Sequence, residues 1–91
     1  MRDSCRSCAR KHIAQACILM LEAQKGYPEH GWLAVGHMAE AEDELLEKHP
    51  DMANVIRSER VEYMRWLEDE TEEVHHVNCL DLIKHITDLP T

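Results

Sequence analysis

The sequence predicts an all-α chain, an antiparallel three-helix bundle with a short fourth C-terminal helix. Three observations carry that prediction. Only three Gly and three Pro interrupt 91 residues, too few for a loop-rich or all-β chain. Apolar residues recur at three- and four-residue intervals over long stretches, the period of a helix with one buried face. The breaks fall at Gly26-Tyr27-Pro28, His49-Pro50-Asp51 and His75-His76-Val77-Asn78, and connections this short join antiparallel neighbours. Ninety-one residues make a single helical domain, 1–91, with a modest core. Phe is absent, and only two Trp and two Tyr occur, so that core must be built from Leu, Ile, Val, Ala and Met.

The first helix is expected over about residues 4–25, with Asp3 or Ser4 as its cap and Gly26 ending it in a left-handed conformation. Its apolar stripe is Ala9, Ile13, Ala16, Cys17 and Met20, widened by Ile18 and Leu21. The small residues of its first half permit close approach by a neighbour. The second helix is expected over about residues 28–49, because Pro28 suits a first helical position. Val35, Met38, Ala39, Leu45 and Leu46 supply its apolar contacts, and Gly36 reads as a point of close packing. Pro50 disfavours helix at His49, so a third helix follows over about residues 51–74, carrying Met52, Val55, Ile56, Tyr63, Trp66, Leu67 and Val74. Its C-terminal end is crowded with acids from Glu68 to Glu73, where the helix dipole is already negative. Asn78 can cap a last helix over about residues 79–89, with Leu82, Ile83, Ile86 and Leu89 at helical spacing and Pro90 as its stop.

Charge narrows the class of partner. The formal net charge is −8, unevenly spread: residues 1–27 carry five Lys/Arg against two Asp/Glu, residues 28–91 five against sixteen. A basic first segment favours packing against acidic later ones. The bulk of the chain repels phosphates, so no direct nucleic-acid binding is expected. The acidic surface suits a protein partner with a basic surface, or self-association as a homodimer. No apolar run of membrane-spanning length occurs, and the first residues lack the apolar stretch of a signal peptide. The expected location is therefore cytoplasmic, where thiols stay reduced. Four Cys in that setting favour metal binding or burial over disulfides.

One spacing shows site chemistry rather than packing. Cys5-x2-Cys8-x3-His12 places two thiols and an imidazole on one helical face, three of the four ligands of a tetrahedral Zn²⁺ site. In a hairpin turning near residue 27, Cys8 faces the end of the second helix, so His49 is the expected fourth ligand and Glu44 its alternative. His37, Glu40 and Glu44 form a second candidate with His12, similar in residue type to the inner shell of di-metal helical bundles. Here, however, the order is His-x-x-Glu, and it occurs once. A redox reading of Cys5-x-x-Cys8 needs a preceding β-strand that the sequence does not supply. The His75-His76 pair and Cys79 read as a loop at the far end of the bundle, and Trp32 as a partner contact or a lid over the first turn. No Gly-rich phosphate loop or nucleophile elbow occurs, and so small a chain builds little substrate pocket. The expectation leans away from an enzyme.

The stretch from Cys5 to Leu46 also resembles small helical proteins encoded in bacteriophage genomes. That resemblance implies a viral origin and a host-cell cytoplasm, and it carries over no particular activity. The residues themselves predict a small acidic zinc-binding helical protein with a structural or protein-interaction role. Two alternatives stand beside it: a catalytic or redox metalloprotein using His12, His37, Glu40 and Glu44, and a metal-free helical dimerisation module.

Overall fold

Four helices appear in order: α1 (Arg6–Gln24), α2 (Pro28–Leu46), α3 (Pro50–Asp69) and α4 (Cys79–Thr87), with no strand among the described residues. The computed structural model describes residues 6–69 and 77–90. The proposed caps Asp3 and Ser4, the acidic run after Asp69, Val74 and the His75-His76 pair lie outside them.

The breakers act where the sequence places them. Gly26 takes φ 114°, a conformation that costs a side-chain-bearing residue, and ends α1 there. Pro28 opens α2 and Pro50 opens α3, where a missing N–H costs nothing. α2 stops at Leu46 rather than near residue 49, although His49 N still donates to Leu45 O at 2.7 Å. Asn78 caps α4, its side-chain oxygen accepting from Asp81 N at 3.1 Å. The other end of α4 is held from α1. Arg6 Nη1 donates to the carbonyl of Leu89, and Arg10 Nη1 lies 3.4 Å from Thr87 Oγ1. The basic start of the chain thus meets the negative end of a helix.

The helices form a ring rather than a stack. α2 lies between α1 and α3, α4 packs on α1 and touches α3, and α1 and α3 do not approach each other among the described residues. α1 and α2 run in opposite directions, since Glu22 meets His30 near the first turn while His12 meets Glu44 far from it. Ala9, Ile13, Ala16 and Met20 of α1, Ala34, Met38, Ala41 and Leu45 of α2, Met52, Ala53, Ile56 and Tyr63 of α3, and Leu82 and Ile86 of α4 are the buried core. The widening residues Ile18 and Leu21, and also Leu46 and Val55, stay exposed. A stripe read from spacing alone is broader than the strip a neighbouring helix can cover.

Two expectations need correction. Gly36 is not a close contact, because a Cβ there would meet nothing within 4 Å. The close approach is at Gly31, where a Cβ would come within 2.7 Å of Leu67 Cδ2 and 3.0 Å of Tyr63 Oη. Gly36→Ala should therefore stabilise the fold by about 0.5–1 kcal/mol through helix propensity. Gly31→Ala should show a net loss of about 1 kcal/mol in the same melting experiment, because Leu67 must yield. Equal shifts for the two would contradict this assignment.

The second correction concerns the cysteines. Cys17 and Cys79 form a disulfide with Cα atoms 6.0 Å apart, and Cys8 is also disulfide-bonded. The compartment argument predicted thiols. It took no account of α4 folding back so that its first residue lands beside the middle of α1, at bridging distance.

Tyr63 is buried, and its hydroxyl has no hydrogen-bond partner among the described residues. Burial pushes its phenol above the ordinary value of 10.0. The folded state thus holds that proton longer than the unfolded chain does, so Tyr63's contribution is intact below pH 10 and declines as pH rises past it. Tyr63→Phe removes an unsatisfied hydroxyl and should raise stability by about 1 kcal/mol at neutral pH. It should also flatten the alkaline loss in a pH series of melts, and an unchanged alkaline slope would count against the assignment.

Candidate functional site: a histidine–carboxylate chain between α1 and α2

The seam between α1 and α2 is lined by small residues. Ala9 and Ala16 on one helix and Ala34 and Ala41 on the other are all fully buried. Their size lets the backbones come close, and polar side chains flanking the seam then meet across it. His12 projects from α1, and His37 and Glu44 project from α2, two turns apart on one face.

The contacts run as a chain. His12 Nδ1 lies 3.0 Å from His37 Nδ1, with ring centroids 5.2 Å apart. On its other side, His12 Nε2 stands 3.3 Å from Glu44 Oε1. That is ion-pair distance without the alignment of a hydrogen bond. Glu44 is the only buried charged residue among those described, at 5% exposure, whereas the His12 side chain is 33% exposed. Carboxylates rarely occupy such a position unless something compensates their charge. An Nδ1–Nδ1 hydrogen bond needs a proton on one ring only. With that proton on His37 Nδ1, His12 Nε2–H faces the Glu44 carboxylate; with it on His12 Nδ1, Nε2 is left as a lone-pair donor to a cation.

The expected ligands fall into three groups. His12 and Glu44 are brought together, and His37 joins them from behind. Cys8 is half-buried one turn before His12 on the same helix, but its sulfur is in a disulfide. Cys5 lies outside the described residues. His49 sits in the turn between α2 and α3, its carbonyl accepting from Ala53 N at 3.0 Å, while Glu40 is exposed. Among the described residues, no three His, Cys, Asp or Glu side chains converge as a complete metal site would require.

Spacing did not reveal several polar links. Arg60 donates to Glu42 through Nε and through Nη2, the latter at 3.3 Å, and so ties α3 to α2. His30 pairs with Glu22 beside the first turn, stacked against Tyr27 with ring centroids 5.5 Å apart. An Arg and a Glu on facing helices were the only sequence signal for the first, and register is needed to use it. An apolar groove of about 470 Å³ also opens beside the Cys17–Cys79 bond, lined by Met20, Leu21, Val77 and Leu80. It carries no reactive group besides the disulfide.

No helix among the described residues is long and apolar enough to cross a membrane. Comparison with protein-family models, with curated proteins and with solved structures gives no match.

Proposed function

We propose that the chain is a small zinc-binding helical protein in which the metal clamps the start of α1 to the end of α2. The single observation that supports this most is the 3.3 Å separation of His12 Nε2 and Glu44 Oε1 beside a buried carboxylate. Two ligands on a tetrahedral ion at bond lengths of about 2.0–2.1 Å stand about 3.4 Å apart. Glu44 therefore takes the fourth position in this reading, in preference to His49. Cys8, one turn before His12, and Cys5, seven residues before it in sequence, supply the remaining ligands as thiolates. His37 is not a ligand here. Its contact with His12 Nδ1 fixes the ring and leaves Nε2 for the metal, the orienting role that outer-shell partners of ligating histidines perform.

A closed site of this kind is a staple, and the role is structural. The acidic balance of α2 and α3 then suits a protein partner with a basic surface or a second copy of the chain. In α2, α3 and the turn between them, residues 28–69, eleven Asp/Glu stand against four Lys/Arg. The rival catalytic reading would put the metal at His37 and Glu40, and Glu40's exposure weighs against it.

Zinc titration of the reduced chain against a chromogenic chelator separates these readings. One zinc per chain is expected. Glu44→Gln should weaken binding at least tenfold, His37→Ala about tenfold through loss of ring orientation, and His49→Ala not at all. A loss at Glu40→Gln equal to that at Glu44→Gln would favour the rival.

A further inference from the structure

We propose that zinc binding at this site is gated by the redox state of Cys8. The inference rests on the zinc reading above and adds its regulation.

The same sulfur serves two incompatible bonds. In the structure Cys8 is disulfide-bonded, half-buried and on the helical face of His12. A disulfide sulfur carries no thiolate charge and is not a zinc ligand, whereas a Cys thiolate is among the strongest. What the described residues of the oxidised chain offer a metal here is therefore His12 and Glu44, fewer protein ligands than a structural zinc site uses. The buried Glu44 and the His12–His37 contact are already in place without the thiolate. Half of the site is built in advance, and the sulfur half is supplied on reduction.

The chemistry balances with a dithiol reductant. One reductant thiolate attacks the disulfide at Cys8 and forms a mixed disulfide. The second thiol then displaces the protein sulfur and closes the reductant's own ring. Two electrons pass to the protein, which gains two thiols, and the reductant leaves as a cyclic disulfide. Zinc then binds Cys8 as thiolate and releases the thiol proton to solvent. The reverse path needs a disulfide oxidant and expels the metal. The start of α1 is thus tied to the end of α2 by zinc in reducing surroundings, and that tie is lost when Cys8 is oxidised.

The test uses the full chain, oxidised and dithiothreitol-reduced, with excess reductant removed before titration with Zn²⁺. The expected result is at least about 100-fold tighter binding to the reduced chain, with Cys8 protected from thiol-labelling reagents once zinc is bound. The redox dependence should persist when Cys17 and Cys79 are both replaced by Ala, and should vanish in Cys8→Ser. Equal affinity in both states would overturn the gate while leaving a zinc site at His12 and Glu44 standing. No binding in either state would overturn the zinc reading itself. A redox dependence that survives Cys8→Ser but disappears with the Cys17/Cys79 replacement would assign the gate to the other disulfide and overturn the proposal.

Discussion

Replacing Cys17 and Cys79 together by Ala is expected to lower the unfolding free energy by roughly 4 kcal/mol. The bond joins residues 62 positions apart, so it removes much of the freedom of the unfolded chain. It also fixes an element with little else to hold it. α4 has nine residues, too few to be helical alone, and buries only Leu82 and Ile86. For a chain of this length the loss corresponds to a fall in melting temperature of roughly 15–30 °C. Both proteins should be compared oxidised, so that the disulfide at Cys8 is common to them. Equal melting temperatures would mean that the core and the Arg6 contact hold α4 without the covalent tie.

Leu45→Ala should cost about 3 kcal/mol, while Leu46→Ala next to it should cost less than about 0.5 kcal/mol. Leu45 is fully buried in the core that all four helices share, and Leu46 is 57% exposed. The pair separates burial from side-chain type, because both remove the same atoms from adjacent helical positions. In urea unfolding the midpoint should move for Leu45→Ala, with the slope unchanged. Similar losses at the two positions would place the core boundary elsewhere. A further reading comes from the same variant. Glu44 is held by its own helix and by His12, so the zinc binding we propose should survive Leu45→Ala under conditions where the variant stays folded.

What the residues disclosed in advance was set by how local the signal was. The Pro28, Pro50 and Gly26 boundaries act through their own backbone and Asn78 through a side chain three residues from its partner, and each appears where the sequence places it. The α1 core positions Ala9, Ile13, Ala16 and Met20 follow from one helical period. Signals that depend on a neighbour fared worse. Spacing nominated Gly36 as the tight contact, yet only the register of α3 against α2 could show that Leu67 and Tyr63 crowd Gly31. The Cys17–Cys79 bond depends on where α4 lands, and composition says nothing of that. At the candidate site the residue types were legible and their relations were not. His12, His37 and Glu44 were all singled out, but only the packed seam shows them as a chain with His12 in the middle.

Four alanines of α1 and α2 are fully buried, and this bears on how the protein can change. Donor atoms on two helices can meet at a metal only if the backbones stand the right distance apart, and metal–ligand bonds tolerate about 0.2 Å of error. Ala9, Ala16, Ala34 and Ala41 therefore act as a gauge. They have no donor atoms of their own, yet they set whether the donors of the proposed site can reach one another. A drift from Ala41 to Leu would leave every donor in the chain intact and move them apart. The residues with the least chemistry of their own would then be the least free to vary.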